Sequence, residues 1–361
     1  MSSQGFSPAE SRAMELALDT AKLGTRGANP LVGAAVLDTT GEVLSIGYHS
    51  GAGSPHAEID ALANLRHRVS QQQDLSDYTM VVTLEPCNHQ GRTGPCAAAI
   101  VDAGIGNIIY AAADPTPDAT GGGDFLRSAG IGVRSGLLQQ RALELNHRWF
   151  RAKSENRPFT TMHIAQTLDG LIAALDGTSQ WITSAESRQD SHGIRSRVGA
   201  IIAGTGTVLA DNPRLTARDE SGAATKSQPL RVVMGLRDLP EDSAIRGDDG
   251  RFVQLRTHDP AEVLGELAGR GIGHAMIEGG AAVAGAFLQA DLVDELVLYL
   301  APMLLGNGTR STGDLGIRTL AEAYQWRWDN SGGGRTSNLG ADLRLHLEPM
   351  PQGIPSGRKG L

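Results

Sequence analysis

His56-Ala57-Glu58, Pro86-Cys87 and Cys96 carry the clearest chemistry in this 361-residue chain, and Cys87 and Cys96 are its only cysteines. One imidazole, two thiols and a nearby carboxylate that need not bind metal are the parts of a hydrolytic zinc site. Three N/S ligands leave a fourth tetrahedral position for water, whose pKa the ion lowers toward neutrality. A closed structural site needs a fourth protein ligand, and His89 is the one nearby candidate. The order His-x-Glu followed by Pro-Cys matches part of the zinc-deaminase signature, in which the glutamate moves protons and does not bind metal. Eight residues separate Cys87 from Cys96, more than the C-x-x-C of polynucleotide-editing deaminases. The competing reading, two inert buried thiols and a helix-cap histidine, leaves this ordered set to coincidence.

A second group of residues is less specific by itself. No G-x-G-x-x-G fingerprint occurs, but two glycine-containing strand exits do: Ile201-Ile202-Ala203-Gly204-Thr205-Gly206-Thr207 and Met276-Ile277-Glu278-Gly279-Gly280. The second leads straight into an expected helix, whose free N–H groups suit a pyrophosphate. A lone glycine at such a junction more often serves turn geometry.

The elements that must position these residues read as two α/β units. Ser7-Pro8-Ala9-Glu10 is a capping box with proline at the first helical position. Leu31–Leu37 and Val43–Tyr48, joined by the turn-like Asp38–Gly41, suggest a hairpin. Helices from Pro55 and Pro95 alternate with strands Thr79–Leu84 and Asn107–Ala112, which implies crossovers on a largely parallel remainder. His56 and Glu58, placed on one helix, would point about 200° apart. The helix starts at Ser54-Pro55-His56 and Gly94-Pro95-Cys96 favour thiolate over thiol, with Cys87 in the turn after a strand. A helix over Leu138–Phe150 closes the first unit, expected at residues 1–150, and polar Arg151–Arg157 marks the boundary.

The second unit is expected over residues 157–350. It has a strand at Thr160–Ala165, a capping box at Thr183-Ser184-Ala185-Glu186 opening a helix to about Val198, and buried strands at Ala200–Ala203, Leu230–Met234, Ala275–Ile277 and Glu295–Leu300. Leu343–Leu347 reads as a last strand at an edge. Asp219–Pro229, Glu241–Gly250 and Asn330–Asn338 read as polar loops, and residues 351–361 as a disordered tail. A net charge of −8 gives no electrostatic footprint for nucleic acid. Residues 1–150 are the more acidic part, with 10 Lys and Arg against 15 Asp and Glu. Two cysteines, no apolar run near 18 residues and no signal-peptide pattern point to a reducing cytoplasm and no membrane.

Longer strings sharpen both readings. Asn29-Pro30-Leu31-Val32-Gly33, Gly47-Tyr48-His49, Ala52–Glu58 and Glu85–Cys96 make residues 1–148 resemble the deaminase domain of the bifunctional riboflavin-biosynthesis deaminase/reductase family. Arg157-Pro158-Phe159, Thr167-Leu168-Asp169-Gly170, Ser179–Thr183, Gly204–Arg218 and Glu278-Gly279-Gly280 make Pro158–Pro349 resemble its reductase domain.

The resemblance implies an N-terminal cytidine-deaminase-like α/β/α domain and a C-terminal dihydrofolate-reductase-like α/β domain. It implies zinc-dependent deamination of 2,5-diamino-6-ribosylamino-4(3H)-pyrimidinone 5′-phosphate, then reduction of the ribosyl group to ribityl by NADPH. His56, Cys87 and Cys96 would bind Zn2+, Glu58 would move protons, and Asn29, His49 and Arg92 would contact substrate. Ala165, Trp181, Thr207, Asp211, Gly280, Ala281, Ala282, Val283, Ala284, Gly285 and Ala286 would line the dinucleotide site. Ser179, Arg195, Leu215, Arg218 and Glu278 would line the reductase substrate site, the arginine forks suiting a phosphate. A homo-oligomer is also implied. Asp60, Asn88 and Gly94 stand where the resemblance leads one to expect histidine, serine and proline. His163 stands where it leads one to expect lysine, and a histidine is a weaker, pH-dependent cation. Two other readings are a polynucleotide-editing deaminase and a deaminase with a weak or non-catalytic NADP-binding second half.

Overall fold

The computed structural model describes residues 5–70, 72–88, 94–116, 121–329 and 336–350. The chain divides into two compact units between Arg157 and Pro158.

In the first unit α1 (Pro8–Ala21) begins at Ser7, whose Oγ accepts from Glu10 N at 3.1 Å while Ser7 N donates to Glu10 Oε2 at 2.7 Å. The expected hairpin forms from β1 (Gly33–Leu37) and β2 (Val43–Tyr48), with Asp38 Oδ1 accepting from Thr40 N and Glu42 N in the turn. Then come α2 (Ala57–Leu65), β3 (Thr79–Leu84), α3 (Cys96–Asp102), β4 (Asn107–Ala112), α4 (Gly122–Ser128), β5 (Gly132–Ser135), α5 (Gln139–Leu145) and α6 (His147–Ser154). The sheet runs β2-β1-β3-β4-β5, with β3, β4 and β5 parallel. Side chains of α2, α3 and α4 pack on one face and those of α1 and α5 on the other, an α/β/α arrangement.

Two expectations change here. The single closing helix is two helices, because Asn146 leaves the helical path and its carboxamide instead clamps Leu31 N and Leu31 O, at 2.9 and 2.8 Å. Residues 151–154 continue α6, so the polar stretch is largely helix, with Trp149 and Ala152 buried along it.

In the second unit β6 (Phe159–Thr167) and β7 (Leu171–Ala174) precede α7 (Ala185–Arg195), β8 (Ala200–Gly204), α8 (Thr205–Asp211), β9 (Leu230–Met234), β10 (Phe252–Leu255), α9 (Pro260–Gly269), β11 (His274–Ile277) and α10 (Ala281–Gln289). Strands β12 (Glu295–Ala301), β13 (Gly308–Arg310), β14 (Trp326–Trp328), β15 (Thr336–Leu339) and β16 (Asp342–Pro349) follow. The main sheet runs β10-β9-β8-β11-β6-β12-β16-β14, parallel from β10 to β12, while β7 pairs with β13 apart from it.

Strand β16 is not an edge: it pairs with β12 on one side and with β14 and β15 on the other. Its polar alternation is explained by partners, since Arg344 pairs with Asp190 and His346 lies 3.3 Å from Glu295. Thr336–Leu339, read as part of a loop, is β15. Helix α7 is capped by Ser184, whose Oγ accepts from Ser187 N at 3.2 Å, and it ends at Arg195, before Val198. No described helix is long and apolar enough to cross a membrane. The tail at 351–361 lies outside the described residues.

Two candidate active sites

Two strand-to-helix junctions build the first site. His56 is the residue before α2, in extended backbone, and Glu58 lies in the first turn. Because His56 is not itself helical, the 200° separation expected for two helical positions does not apply. Cys87 follows β3, and Cys96 opens α3. The metal-binding atoms converge: His56 Nδ1 lies 3.1 Å from Cys96 Sγ and 3.6 Å from Cys87 Sγ, and all three atoms fall within 4.8 Å of one another. A tetrahedral zinc with these ligands has edges of roughly 3.5–3.8 Å. The donor set therefore fits zinc.

Electrostatics agree with that fit. The hydrogen bond with Cys96 holds the Cys87 thiol well below its ordinary pKa, with His56 adding to it, and Cys96 N donates to Cys87 Sγ at 3.5 Å. The same pairing, with burial, pushes Cys96 up. Glu58, 3% exposed, is pushed up to about 7, chiefly by burial.

A cavity of about 290 Å³ opens on these groups, lined also by Asn29, His49, Glu85, Asp114, Trp149 and Lys153. His49 Nδ1 lies 2.9 Å from Pro55 O, and Asn29 Nδ2 lies 2.9 Å from His49 Nε2. Burial keeps His49 below its ordinary pKa, so the ring is neutral, its Nδ1–H donating to Pro55 O and its Nε2 accepting from Asn29. That leaves the Asn29 oxygen as an acceptor. Asp60, the departure from the expected histidine, accepts Tyr48 N at 3.0 Å and so ties α2 to β2. Arg92 and His89 lie outside the described residues. Sequence reading missed Glu85, Asp114 and Lys153 as lining groups. Glu85 stood in the quoted Glu85-Pro86-Cys87 string, whereas Lys153 lay in the stretch read as a linker.

The second unit holds a larger cavity, about 680 Å³, at the carboxyl ends of β6, β8 and β11. Ala165, Trp181, Thr207, Asp211 and Gly280 line it, and so do Ser179, Arg195, Leu215, Arg218 and Glu278. Of Gly280–Ala286, Gly280 alone borders this cavity. Ala281 borders a separate hollow with Arg310, Val283 and Ala284 are buried against the sheet, and Gly285 is buried beside Gly313 and Leu315. Helix periodicity explains this, since a continuous run cannot face one ligand. Gly280 N donates to Thr207 Oγ1 at 2.9 Å, and a Cβ on Gly280 would come within 3.2 Å of that oxygen. The bare backbone between these two strand exits is a cradle of the kind a dinucleotide phosphate needs.

Ser179 Oγ donates to Asp211 Oδ1 at 3.0 Å, and the Arg188 guanidinium stacks 4.4 Å from the Trp181 ring. Arg195 is turned onto Glu278, with Nε donating at 2.9 Å, and both side chains are mostly buried. Burial pushes Glu278 up, but the Arg195 guanidinium beside it holds it below its ordinary value. Arg195 is thus committed to an internal carboxylate, while Arg214 and Arg218 also face the cavity. His163 Nε2 lies 2.8 Å from Ser191 Oγ, whose proton goes to Ser187 O at 2.9 Å. Burial lowers the His163 pKa, so the ring is a neutral donor where a lysine was expected to supply charge. Arg214 and His192 were not anticipated as lining residues.

Comparison with known proteins finds both domains. Residues 8–112 match the model for the cytidine and deoxycytidylate deaminase zinc-binding region, and residues 158–332 match the RibD C-terminal domain. The riboflavin biosynthesis protein RibD of Mycobacterium tuberculosis is 40% identical over 325 residues, covering 90% of this chain and 92% of that one. Its Escherichia coli counterpart is 34% identical over 370 residues, covering 92% and 98%. The structure of Acinetobacter baumannii RibD matches with TM-score 0.72 at 32% identity, over 95% of this chain and 99% of that chain. The chain therefore belongs to the RibD family, the bifunctional zinc-dependent deaminases and NADPH-dependent reductases of riboflavin biosynthesis.

Proposed function

We propose that the first cavity removes the 2-amino group from 2,5-diamino-6-ribosylamino-4(3H)-pyrimidinone 5′-phosphate and that the second reduces the ribosyl group of the product. The convergence of His56, Cys87 and Cys96 on one another, at a cavity bordered by His56, Cys87 and the buried Glu58, carries this reading. Zinc held by the first three side chains supplies the acidity that lets water act as a nucleophile at neutral pH. Glu58, poised near neutrality, accepts a proton at its carboxylate and returns it to the departing amino nitrogen. Asn29, fixed by His49, offers its oxygen to a donor on the base. Lys153 and Arg92 are the proposed basic partners of the phosphate end.

In the second cavity NADPH supplies the hydride. Thr207, Asp211, Gly280 and Trp181, which line this cavity, would hold the dinucleotide. Arg214 and Arg218 suit the substrate phosphate, Leu215 borders the same cavity, and Ser179 is oriented by Asp211. The Arg195–Glu278 pair supports the floor. The −8 net charge supports a small-molecule substrate and no nucleic-acid partner. Two reduced thiolate ligands support a cytoplasmic location, and a homo-oligomer remains the proposed assembly.

A coupled assay tests the whole scheme: zinc-dependent ammonia release from the diaminopyrimidine, then loss of NADPH absorbance on the deaminated product. Ammonia without NADPH oxidation would remove the second activity, and neither signal would remove both.

A further inference from the structure

Reducing a closed ribosylamine to an open ribityl chain takes a proton as well as a hydride. The C1′–O4′ bond breaks and its electron pair leaves with O4′, while the lone pair of the glycosidic nitrogen forms C1′=N. Hydride from NADPH then bonds to C1′, and the C1′=N π pair returns to the nitrogen. O4′ becomes a hydroxyl once an acid protonates it, a step that a positioned side chain accelerates by about 10²–10⁴. Most groups around the second cavity cannot serve. Its arginines hold their protons throughout. Asp211 accepts from Ser179, Glu278 is kept ionised by Arg195, and His163 spends its Nε2–H on Ser191.

His192 is different. It lies in the last turn of α7 and borders the cavity, and its Nδ1 lies 3.0 Å from Thr216 O. A carbonyl only accepts, so Nδ1 carries the proton, and in the neutral ring Nε2 holds a lone pair. Nε2 makes no hydrogen bond among the described residues. Thr216 also gathers charge around this ring: its O accepts from Arg195 Nη1 at 3.2 Å, and its Oγ1 accepts from Arg218 Nε at 3.3 Å. Burial and the two guanidiniums hold His192 below its ordinary pKa, against the pull of Thr216 O and Glu278. A substrate phosphate on Arg214 and Arg218 would offset the cationic repulsion, so the ring would take up a proton as substrate arrives and give it away readily.

We propose that His192 is the proton donor of the reduction, handing a proton from Nε2 to O4′ as the C1′–O4′ bond opens and recovering one from solvent afterwards. Histidine suits this task because both forms of its ring are accessible near neutral pH. The inference rests on the reductase reading above, with the substrate phosphate at Arg214 and Arg218.

NADPH oxidation with the deaminated substrate, followed across pH, tests it. His192→Asn keeps a donor for Thr216 O and removes the titrating nitrogen, so kcat should fall by about 10²–10⁴ while KM changes less than about threefold. The unaltered protein should lose kcat as pH rises past the pKa of the bound imidazolium, and the variant should lack that inflection. His192→Gly should regain kcat in added imidazole, a response that a merely structural side chain would not give. Melting curves show whether the second unit is folded; if the asparagine variant melts early, His192→Gln makes the same test. A kcat within about threefold of the unaltered protein, an inflection that survives, or a loss confined to KM overturns the assignment of His192. An unaltered protein that oxidises no NADPH with this substrate would instead overturn the reductase reading, and the inference with it.

Discussion

The deaminase and reductase cavities solve the same problem, holding a phosphorylated pyrimidine, in opposite ways. In the first, the three candidate metal ligands and Glu58 lie within residues 56–96, at two strand-to-helix junctions. Their spacing is set locally, by turns that the sequence prescribes. In the second, the lining runs from His163 to Ser311, and its central ion pair joins residues 83 positions apart. A site compact in sequence is fixed by backbone turns. A site dispersed in sequence is fixed by packing, and its residues are partners of one another as much as of a ligand. Substitutions in the two cavities should therefore fail differently: sharply and chemically in the first, more diffusely and through stability in the second.

The largest effect is expected from Glu58→Gln. Removing a general base or acid costs about 10²–10⁴ in rate, so ammonia release should fall by that factor while zinc content and NADPH oxidation with deaminated substrate stay unchanged. Loss of zinc in this variant would show that Glu58 holds the site together and blur the contrast.

Next, Glu278→Gln should leave Arg195 a mostly buried, uncompensated cation. Its cost is about 2–4 kcal/mol in the second unit, visible in thermal or urea unfolding, with deamination intact. An unaltered melting curve would mean that the pair is solvated and that the reductase floor is not built on it.

Acid should bear more gently on the same unit. Burial lowers His274 to about 4, below an unfolded value near 6.5, so the unfolded state binds the extra proton between those limits. The contribution is full above pH 6.5 and lost as pH falls toward 4, about 1–2 kcal/mol of it by pH 5. His274→Asn should flatten that slope in unfolding titrations; an unchanged slope would place the acid-sensitive group elsewhere.

The smallest effect is expected at His163. His163→Lys puts a cation beside Arg195 and breaks the donor bond to Ser191. Reductase kcat/KM should shift by roughly fivefold, the scale of one neutral hydrogen bond, with deamination unaffected. A large change in the deaminase rate would refute the placement of His163 in the second site.

The contrast also explains what could be read in advance. Glu58 and the three metal ligands were legible because no other cysteine competes and each residue sits beside a proline or helix start that fixes the local backbone. Lys153 was not, because it reaches the first cavity from α6, in a stretch whose polarity reads as linker. Gly280–Ala286 were expected to line the dinucleotide site as a run, yet the helix turns Val283, Ala284 and Gly285 into the interior. Leu343–Leu347 carried the signature of an edge strand, and only Asp190 and Glu295 from other elements show why its arginine and histidine belong inside.

Sequence alone determined the hairpin and alternating strands of the first unit and the two glycine exits, because each is written in a few consecutive residues, and it marked the candidate metal-binding trio because no other cysteine competes. Tertiary structure decided the split at Asn146, the interior place of β16, the hydrogen bond of His163 to Ser191, and the commitment of Arg195 to Glu278. Those features depend on which distant side chain arrives opposite, and on how much water its arrival removes, and neither quantity is written in local spacing.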